Sequence, residues 1–167
     1  MEKFAVIVAG GGGTRMGTAV PKQFLEIRNQ PLILYTASTF LKAFPDIQLI
    51  LVFPAAYLNT GRDLFLNISA DKAPVFVTGG ETRFHSVKNG LEMVPENAIV
   101  FVHDAVRCLV TADLVRRCYE HALEKGTAIP VVPVRDSLRV LSADAGSKVL
   151  DREKVRAVQT PQTFSLS

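Results

Sequence analysis

Apolar residues along this chain fall into short unbroken runs separated by mixed stretches of helical length. The first run, FAVIVA (Phe4–Ala9), ends in glycines. It predicts a strand buried on both faces, because a half-exposed strand would alternate apolar and polar positions. IQLILVF (Ile47–Phe53), APVFVTG (Ala73–Gly79), AIVFVH (Ala98–His103) and AIPVVPV (Ala128–Val134) repeat the signal. Two of the intervening segments read as amphipathic helices. In TRFHSVKNGLEMV, Phe84, Val87, Leu91 and Val94 share one helical face. In TADLVRRCYEHALEKG, Thr111 is the expected N-cap with Asp113 in the first turn. Val115, Cys118, Tyr119 and Ala122 form the apolar face there, and Gly126 ends the helix.

Alternating strands and helices predict an α/β fold, with a mostly parallel sheet covered on both faces by helices. From Arg135 onward the pattern changes. RDSLRVLS, SKVLDREKV and RAVQTPQTF are short β-prone pieces with polar punctuation, expected to form a β-arm or loop excursion over residues 135–163. Residues 1–167 contain no linker, repeat or low-complexity segment, so a single domain is expected.

With 48% hydrophobic and 21% charged residues, the chain has an ordinary globular balance, which argues against disorder. No apolar run approaches the roughly 18–20 residues that span a bilayer, and Glu2 and the early glycines do not suit a signal peptide. A cytoplasmic protein without membrane partners is therefore expected. The net charge of +3, from 19 Lys and Arg against 16 Asp and Glu, lacks any polybasic block. That argues against nucleic acid and suits a small anionic ligand met by a few placed cations. Cys108 and Cys118 have neither CxxC nor zinc-ligand spacing and are expected to be free thiols.

The glycine run in AGGGGTRMG follows the first strand, where consecutive backbone N–H groups can converge on a phosphate. It is neither of two familiar phosphate loops. The dinucleotide pattern G-x-G-x-x-G places Arg15 or Met16 where its third glycine belongs, and the P-loop pattern through Gly12 and Gly17 meets Thr18 instead of lysine. What the chain offers is Arg15 inside the loop and Lys22 seven residues later. Two fixed cations beside such a nest suit phosphoryl or nucleotidyl transfer, whereas the plainer reading is a tight turn with surface cations.

Asp104 follows a buried strand, at the end where open parallel sheets bind ligands. It reads either as a hard-oxygen ligand for Mg²⁺ or as a turn cap. His103 should point to the opposite face and be packed and hydrogen-bonded. Arg107 reads as a partner for Asp104 or as a phosphate ligand. In TGGETRFHSV, backbone amides at a helix N-terminus and the Ser86 hydroxyl could read a nucleobase, or the stretch is a plain strand-to-helix turn.

Together AGGGGTRMG, PKQF, GGETRFHSV, HDAVR, PVRDSLR and LDREKVRAVQTPQTF resemble, in order and spacing, the 2-C-methyl-D-erythritol 4-phosphate cytidylyltransferases of non-mevalonate isoprenoid biosynthesis. The resemblance implies a Rossmann-like nucleotidyltransferase fold that uses CTP and Mg²⁺ and releases pyrophosphate. It casts Arg15 and Lys22 as transition-state stabilisers and Ala9, Gly10, Gly11, Gly12 and Gly13 as the CTP cradle. Gly80, Glu81 and Ser86 fall on the family's cytosine contacts, and Asp104 lies near the metal and the substrate hydroxyls. The arm is expected to cross to the partner of a homodimer, bringing Ser137 and Arg152 to the sugar phosphate, with Thr160 also lining the substrate side and Arg107 nearby.

The family pattern differs at Gly10-Gly11, usually Ala-Gly, at Cys108, commonly Pro, and at Ser137, frequently Thr. The resemblance also implies a longer chain, with a Thr/Asp-rich stretch and a late lysine beyond Ser167. Ribitol-5-phosphate cytidylyltransferases share the glycine loop, PKQF and HDAVR, but PVRDSLR, Arg152 and FHSV favour the methylerythritol phosphate enzyme. A nucleotide-binding module without catalysis is the alternative from another class; Arg15, Lys22 and Asp104 argue against it.

Overall fold

The computed structural model describes residues 1–9, 20–142 and 146–166; the loop glycines Gly10–Gly13 and Arg15 lie outside the described residues. The elements in chain order are β1 (Glu2–Val8), β2 (Glu26–Ile27), β3 (Gln30–Pro31), α1 (Leu32–Ala43), β4 (Gln48–Phe53), α2 (Leu58–Leu64), β5 (Val75–Thr78), α3 (Arg83–Leu91), β6 (Ala98–Asp104), α4 (Ala112–Lys125), β7 (Thr127–Ala128), β8 (Val131–Pro133), β9 (Leu138–Leu141), β10 (Ser147–Leu150), β11 (Arg156–Val158) and β12 (Gln162–Leu166). Short 3-10 turns occupy Lys22–Phe24, Ala55–Tyr57 and Arg152–Lys154.

A six-stranded sheet runs in the order β5-β4-β1-β6-β12-β7. β1 is parallel to β4 and β6, β4 is parallel to β5, and β12 runs antiparallel to both β6 and β7. The expected mostly parallel α/β sheet is therefore present. Its central strands read as unbroken apolar runs because both faces are covered. Ala5, Ile7, Leu49, Leu51, Phe53, Ile99 and Phe101 face a large cluster with Ile33, Ala37 and Phe40 of α1 and Val115, Cys118 and Ala122 of α4. Phe4, Val6, Val8, Ile50, Val52, Ala98 and Val100 face a smaller cluster shared with Val87 and Leu91 of α3 and with Phe164 and Leu166 of β12. The alternation of odd and even residues between the two clusters is the strand's period of two.

Helix α3 approaches the sheet closely through Gly90, where an added Cβ would lie 2.5 Å from a Val6 methyl and 3.0 Å from a Val52 methyl. Helix α4 follows its sequence signals: the Thr111 side chain accepts from the Leu114 amide, Asp113 lies in the first turn, and Gly126 closes the end at φ 81°.

The structure departs from the sequence reading in three places. Phe84 is not part of the buried face of α3: it is 71% exposed, projecting from the first turn with its ring beside His85, while Val87, Leu91 and Val94 do pack on the smaller cluster. The run Ala128–Val134 does not form one strand. Residues 127–128 finish the central sheet, and Val131–Pro133 pairs with β11, because Pro130 and Pro133 supply no ladder donors. Finally, Gln162–Leu166 returns to the central sheet beside β6, so the end of the stretch read as an excursion belongs to the sheet. Within the excursion, β9 and β10 form an antiparallel hairpin and β8 and β11 a second ribbon.

Candidate active site

The chain places β4 and β5 on one side of β1, and α3 then carries it back to start β6 on the other side. Strand order thus reverses between β1 and β6, and the crevice outside the carboxyl ends at such a point is where open α/β sheets bind ligands. Val8 is in register with Asp104, and the Ala105 amide donates to the Val8 carbonyl at 3.0 Å. The Ala9 amide donates to Val52 at 2.8 Å, and the Ala9 carbonyl accepts from the buried Gln23 amide at 2.9 Å. Gln23 follows Lys22 in the 3-10 turn, so this bond fixes the Lys22 turn to the end of β1. Lys22 itself is half-buried, and its side chain has no hydrogen-bond or ion-pair partner among the described residues.

Asp104 is the junction of the site. Its Oδ1 accepts from Arg83 Nε and its Oδ2 from Arg107 Nε, each at 2.9 Å. Arg107 extends further, donating through Nη1 to Gln159 Oε1. Burial pushes the Asp104 carboxyl up, but the hydrogen bonds from Arg107 and Arg83 and their positive charges outweigh it and hold the group below the usual carboxylate range. Asp104 is therefore an anion at neutral pH. Two cations share this one carboxylate, which leaves the cluster net positive and suited to anionic ligands. Of the two readings of Arg107, the pairing with Asp104 is present, and part of its side chain remains exposed to solvent.

His103 points to the other face, as alternation requires. It is fully buried with its ring 5.2 Å from that of Phe40, and Nε2 lies 3.2 Å from the Arg107 carbonyl. Burial pushes its pKa down to about 4, so the ring is neutral and donates from Nε2 to that carbonyl. The Arg107 amide also closes onto the Asp104 carbonyl at 3.0 Å, and Thr36 donates to Ala105 at 2.7 Å. The turn that presents Asp104 and Arg107 is thus pinned from beneath by α1 and His103.

On the α3 side, the Gly80 amide donates to Ser86 Oγ at 3.1 Å, and Ser86 Oγ lies 3.0 Å from the Thr82 carbonyl. Ser86 is buried, and its hydroxyl shapes the turn leading into α3. Thr82 caps the helix by accepting from the His85 amide, and Glu81 is exposed at the turn. The expected nucleobase-reading residues therefore share one ordered turn with Arg83.

Ser137 and Arg152 flank the base of the arm. Leu138 pairs with Leu150, which places the two residues just outside opposite strands of the hairpin, and Arg152 donates to the Arg135 carbonyl at 3.0 Å. Both side chains are exposed. Thr160 is buried beside Gln159, and its hydroxyl has no partner among the described residues.

A divalent metal can draw on one carboxylate here. Among the described residues no group of three or more His, Cys, Asp or Glu could hold a metal. Each Asp104 oxygen takes one guanidinium bond and retains a lone pair; with two arginines on that carboxylate, the site accommodates a dication only together with anionic phosphates, which suits a cation that keeps most of its waters, as Mg²⁺ does. Arg83 and Gln159 were not legible as site residues in the sequence. The available signal was slight: Arg83 is a cation in the first turn of a helix, against the sign of the helix dipole, and Gln159 adjoins Thr160.

Residues 4–167 match the family model described as IspD, 2-C-methyl-D-erythritol 4-phosphate cytidylyltransferase. A protein of that name from Bacteroides thetaiotaomicron is 43% identical over 166 residues, covering 99% of this chain and 75% of the relative. Its counterpart from Bacteroides fragilis is 40% identical over 98% of this chain and 74% of its own length. The crystal structure of the Thermus thermophilus enzyme superposes with a TM-score of 0.69 at 34% identity, covering 98% of this chain and 70% of that one. Motifs, fold and relatives agree, and the chain belongs to the 2-C-methyl-D-erythritol 4-phosphate cytidylyltransferase family.

Proposed function

We propose that the chain transfers the cytidylyl group of CTP to 2-C-methyl-D-erythritol 4-phosphate, giving 4-diphosphocytidyl-2-C-methyl-D-erythritol and pyrophosphate. The observation that carries this reading is the placement of Asp104, with its two arginines, level with the end of β1 that leads into the glycine loop. An acceptor phosphate oxygen attacks the α-phosphorus of CTP; the new P–O bond forms as the bond to the bridging α–β oxygen breaks, and pyrophosphate leaves with that electron pair. The acceptor phosphate is already an anion at neutral pH, so no general base is needed. The protein's task is to bring two anions together in line and stabilise the charge that develops.

In this reading Arg15 and Lys22 stabilise the charge on the α-phosphoryl group, and Ala9 with Gly10–Gly13 cradles the CTP phosphates. Gly80, Glu81 and Ser86 form the turn that holds the cytosine, Ser86 by shaping that turn, since its buried hydroxyl is engaged by the Gly80 amide and the Thr82 carbonyl. Arg107 faces the acceptor, and Thr160 lies on the substrate side next to Gln159, which Arg107 contacts. Asp104 would hold Mg²⁺, which when bound supplies charge neutralisation on the phosphates.

The enzyme acts as a homodimer in which the arm crosses to the partner, so Ser137 and Arg152 serve the neighbouring site. The apolar residues along the arm and its base support this: Leu141 is 82% exposed and Val149 75%, with Val131, Val132, Val140 and Val158 also exposed. A partner surface covering them would gain roughly 25 cal/mol per Å² of apolar area buried. Free thiols at Cys108 and Cys118 agree with a reducing, cytoplasmic setting.

The test is pyrophosphate release from CTP and Mg²⁺ with methylerythritol phosphate and, in parallel, ribitol 5-phosphate. Release with methylerythritol phosphate is expected; release with ribitol phosphate alone, or with neither, would overturn the reading.

A further inference from the structure

We infer that Arg83 is a positioning residue for the acceptor phosphate: through Asp104 it fixes Arg107, although Arg83 itself stands on the turn assigned to the nucleotide. The inference rests on the proposed reaction for its functional part and on the geometry alone for its structural part.

Arg83 is the first residue of α3, whose first turn contains no acidic side chain. A cation there opposes the positive end of the helix dipole, so local helix energetics do not account for it. Asp104 does. Arg83 Nε donates to Oδ1 at 2.9 Å across 21 residues of sequence, while Oδ2 takes Arg107 Nε at the same distance. A carboxylate held at both oxygens has one rotamer, and Arg107 is then aligned between Asp104 and Gln159. Without Arg83, Oδ1 loses its described partner, and the carboxylate is free to turn and take Arg107 with it. The Nη groups of Arg83 have no partner among the described residues, and half of the side chain is exposed, so the arginine is not needed to fill the core.

Arg83 thereby ties the turn after Gly80 to the Arg107–Gln159 pair, so that two half-sites from distant parts of the chain keep a fixed spacing. A lysine in its place would retain the charge but not the planar guanidinium aimed at Oδ1.

The experiment compares the wild-type chain with Arg83→Gln, Arg83→Lys, Asp104→Asn and the Arg83→Gln/Asp104→Asn double variant. In the ligand-free protein, the exchange rate of the Arg107 Nε–H with solvent is followed by ¹⁵N NMR, with thermal unfolding recorded for each variant. Steady-state pyrophosphate release then gives KM for each substrate. Arg83→Gln is expected to speed Arg107 exchange and raise KM for methylerythritol phosphate about tenfold, the scale of a lost charge-assisted hydrogen bond, leaving KM for CTP and kcat within about twofold. Arg83→Lys should recover part of this loss, and Arg83→Gln should add nothing in the Asp104→Asn background.

Unchanged Arg107 exchange in Arg83→Gln would overturn the inference. So would KM values rising together for both substrates alongside a lower melting temperature, which marks a merely structural role. If wild type releases no pyrophosphate, the proposed reaction falls, and Arg107 exchange alone still decides whether Arg83 holds the cluster.

Discussion

Arg107 and Gln159 are 52 residues apart in sequence, yet Arg107 Nη1 donates directly to Gln159 Oε1. This bond joins the turn after β6 to the stretch that carries Thr160 into β12. Gln159 is itself anchored, its amide donating to Pro130 at 2.8 Å. Replacing Gln159 with Ala removes the side-chain acceptor and keeps the backbone anchor. We expect KM for the acceptor phosphate to rise about tenfold, corresponding to roughly 1.5 kcal/mol, the low end for one hydrogen bond to a charged group, with KM for CTP unchanged. Steady-state kinetics with each substrate varied in turn would check this; equal shifts for both would count against an acceptor-side role.

Lys22 stands on a turn locked to the end of β1 through the bond from Gln23 to Ala9. Lys22→Ala should abolish turnover, by about 10²-fold or more, while the melting temperature stays within a few degrees. Arg15→Ala should do the same. Wild-type rates in either variant would remove that residue from the catalytic assignment.

His103 makes a stability prediction with a defined pH window. Its pKa is pushed down by burial from 6.5 to about 4, with the carbonyl of Arg107 and the charge of Asp104 opposing that shift and Arg107 and Arg83 reinforcing it. The unfolded chain therefore binds a proton that the folded chain refuses. The stabilisation is fully present above pH 6.5 and is lost as pH falls toward 4, amounting to roughly 3 kcal/mol. Urea unfolding of wild type and His103→Gln between pH 7 and pH 4 should show their stabilities converging on acidification. Parallel curves would contradict a buried neutral histidine.

Gly90 fixes how closely α3 approaches the sheet. Alanine would improve helix propensity, yet its Cβ would lie 2.5 Å from the Val6 methyl. Overpacking should win, and Gly90→Ala should destabilise the fold by about 1–3 kcal/mol in equilibrium unfolding. Because α3 carries Arg83, its displacement should also raise KM for the acceptor phosphate.

Much of the architecture was legible in the sequence because burial imposes patterns on single segments. Unbroken runs such as Phe4–Ala9 and Ile47–Phe53 mark strands covered on both faces, and Thr111, Asp113 and Gly126 write the limits of α4 in local chemistry. The HDAVR motif also singled out Asp104 and Arg107, which the structure pairs. Phe84 misled because periodicity reports which face a residue occupies but not where the helix runs past the sheet. The split of Ala128–Val134 and the return of Gln162–Leu166 depend on which strand edge each segment meets, a choice made between distant parts of the chain.

The sequence by itself determined the βα alternation, since propensity and patterning are local properties, and it carries a glycine run with Arg15 and Lys22 close by, whose reading as a phosphate cradle belongs to the proposal. Only tertiary structure decided that Asp104 holds Arg83 and Arg107 at once, that Gln159 completes their line, and that Ser137 and Arg152 flank the base of one hairpin. Such relationships depend on hydrogen bonds between residues far apart in sequence, whose partners become neighbours only once the sheet has assembled.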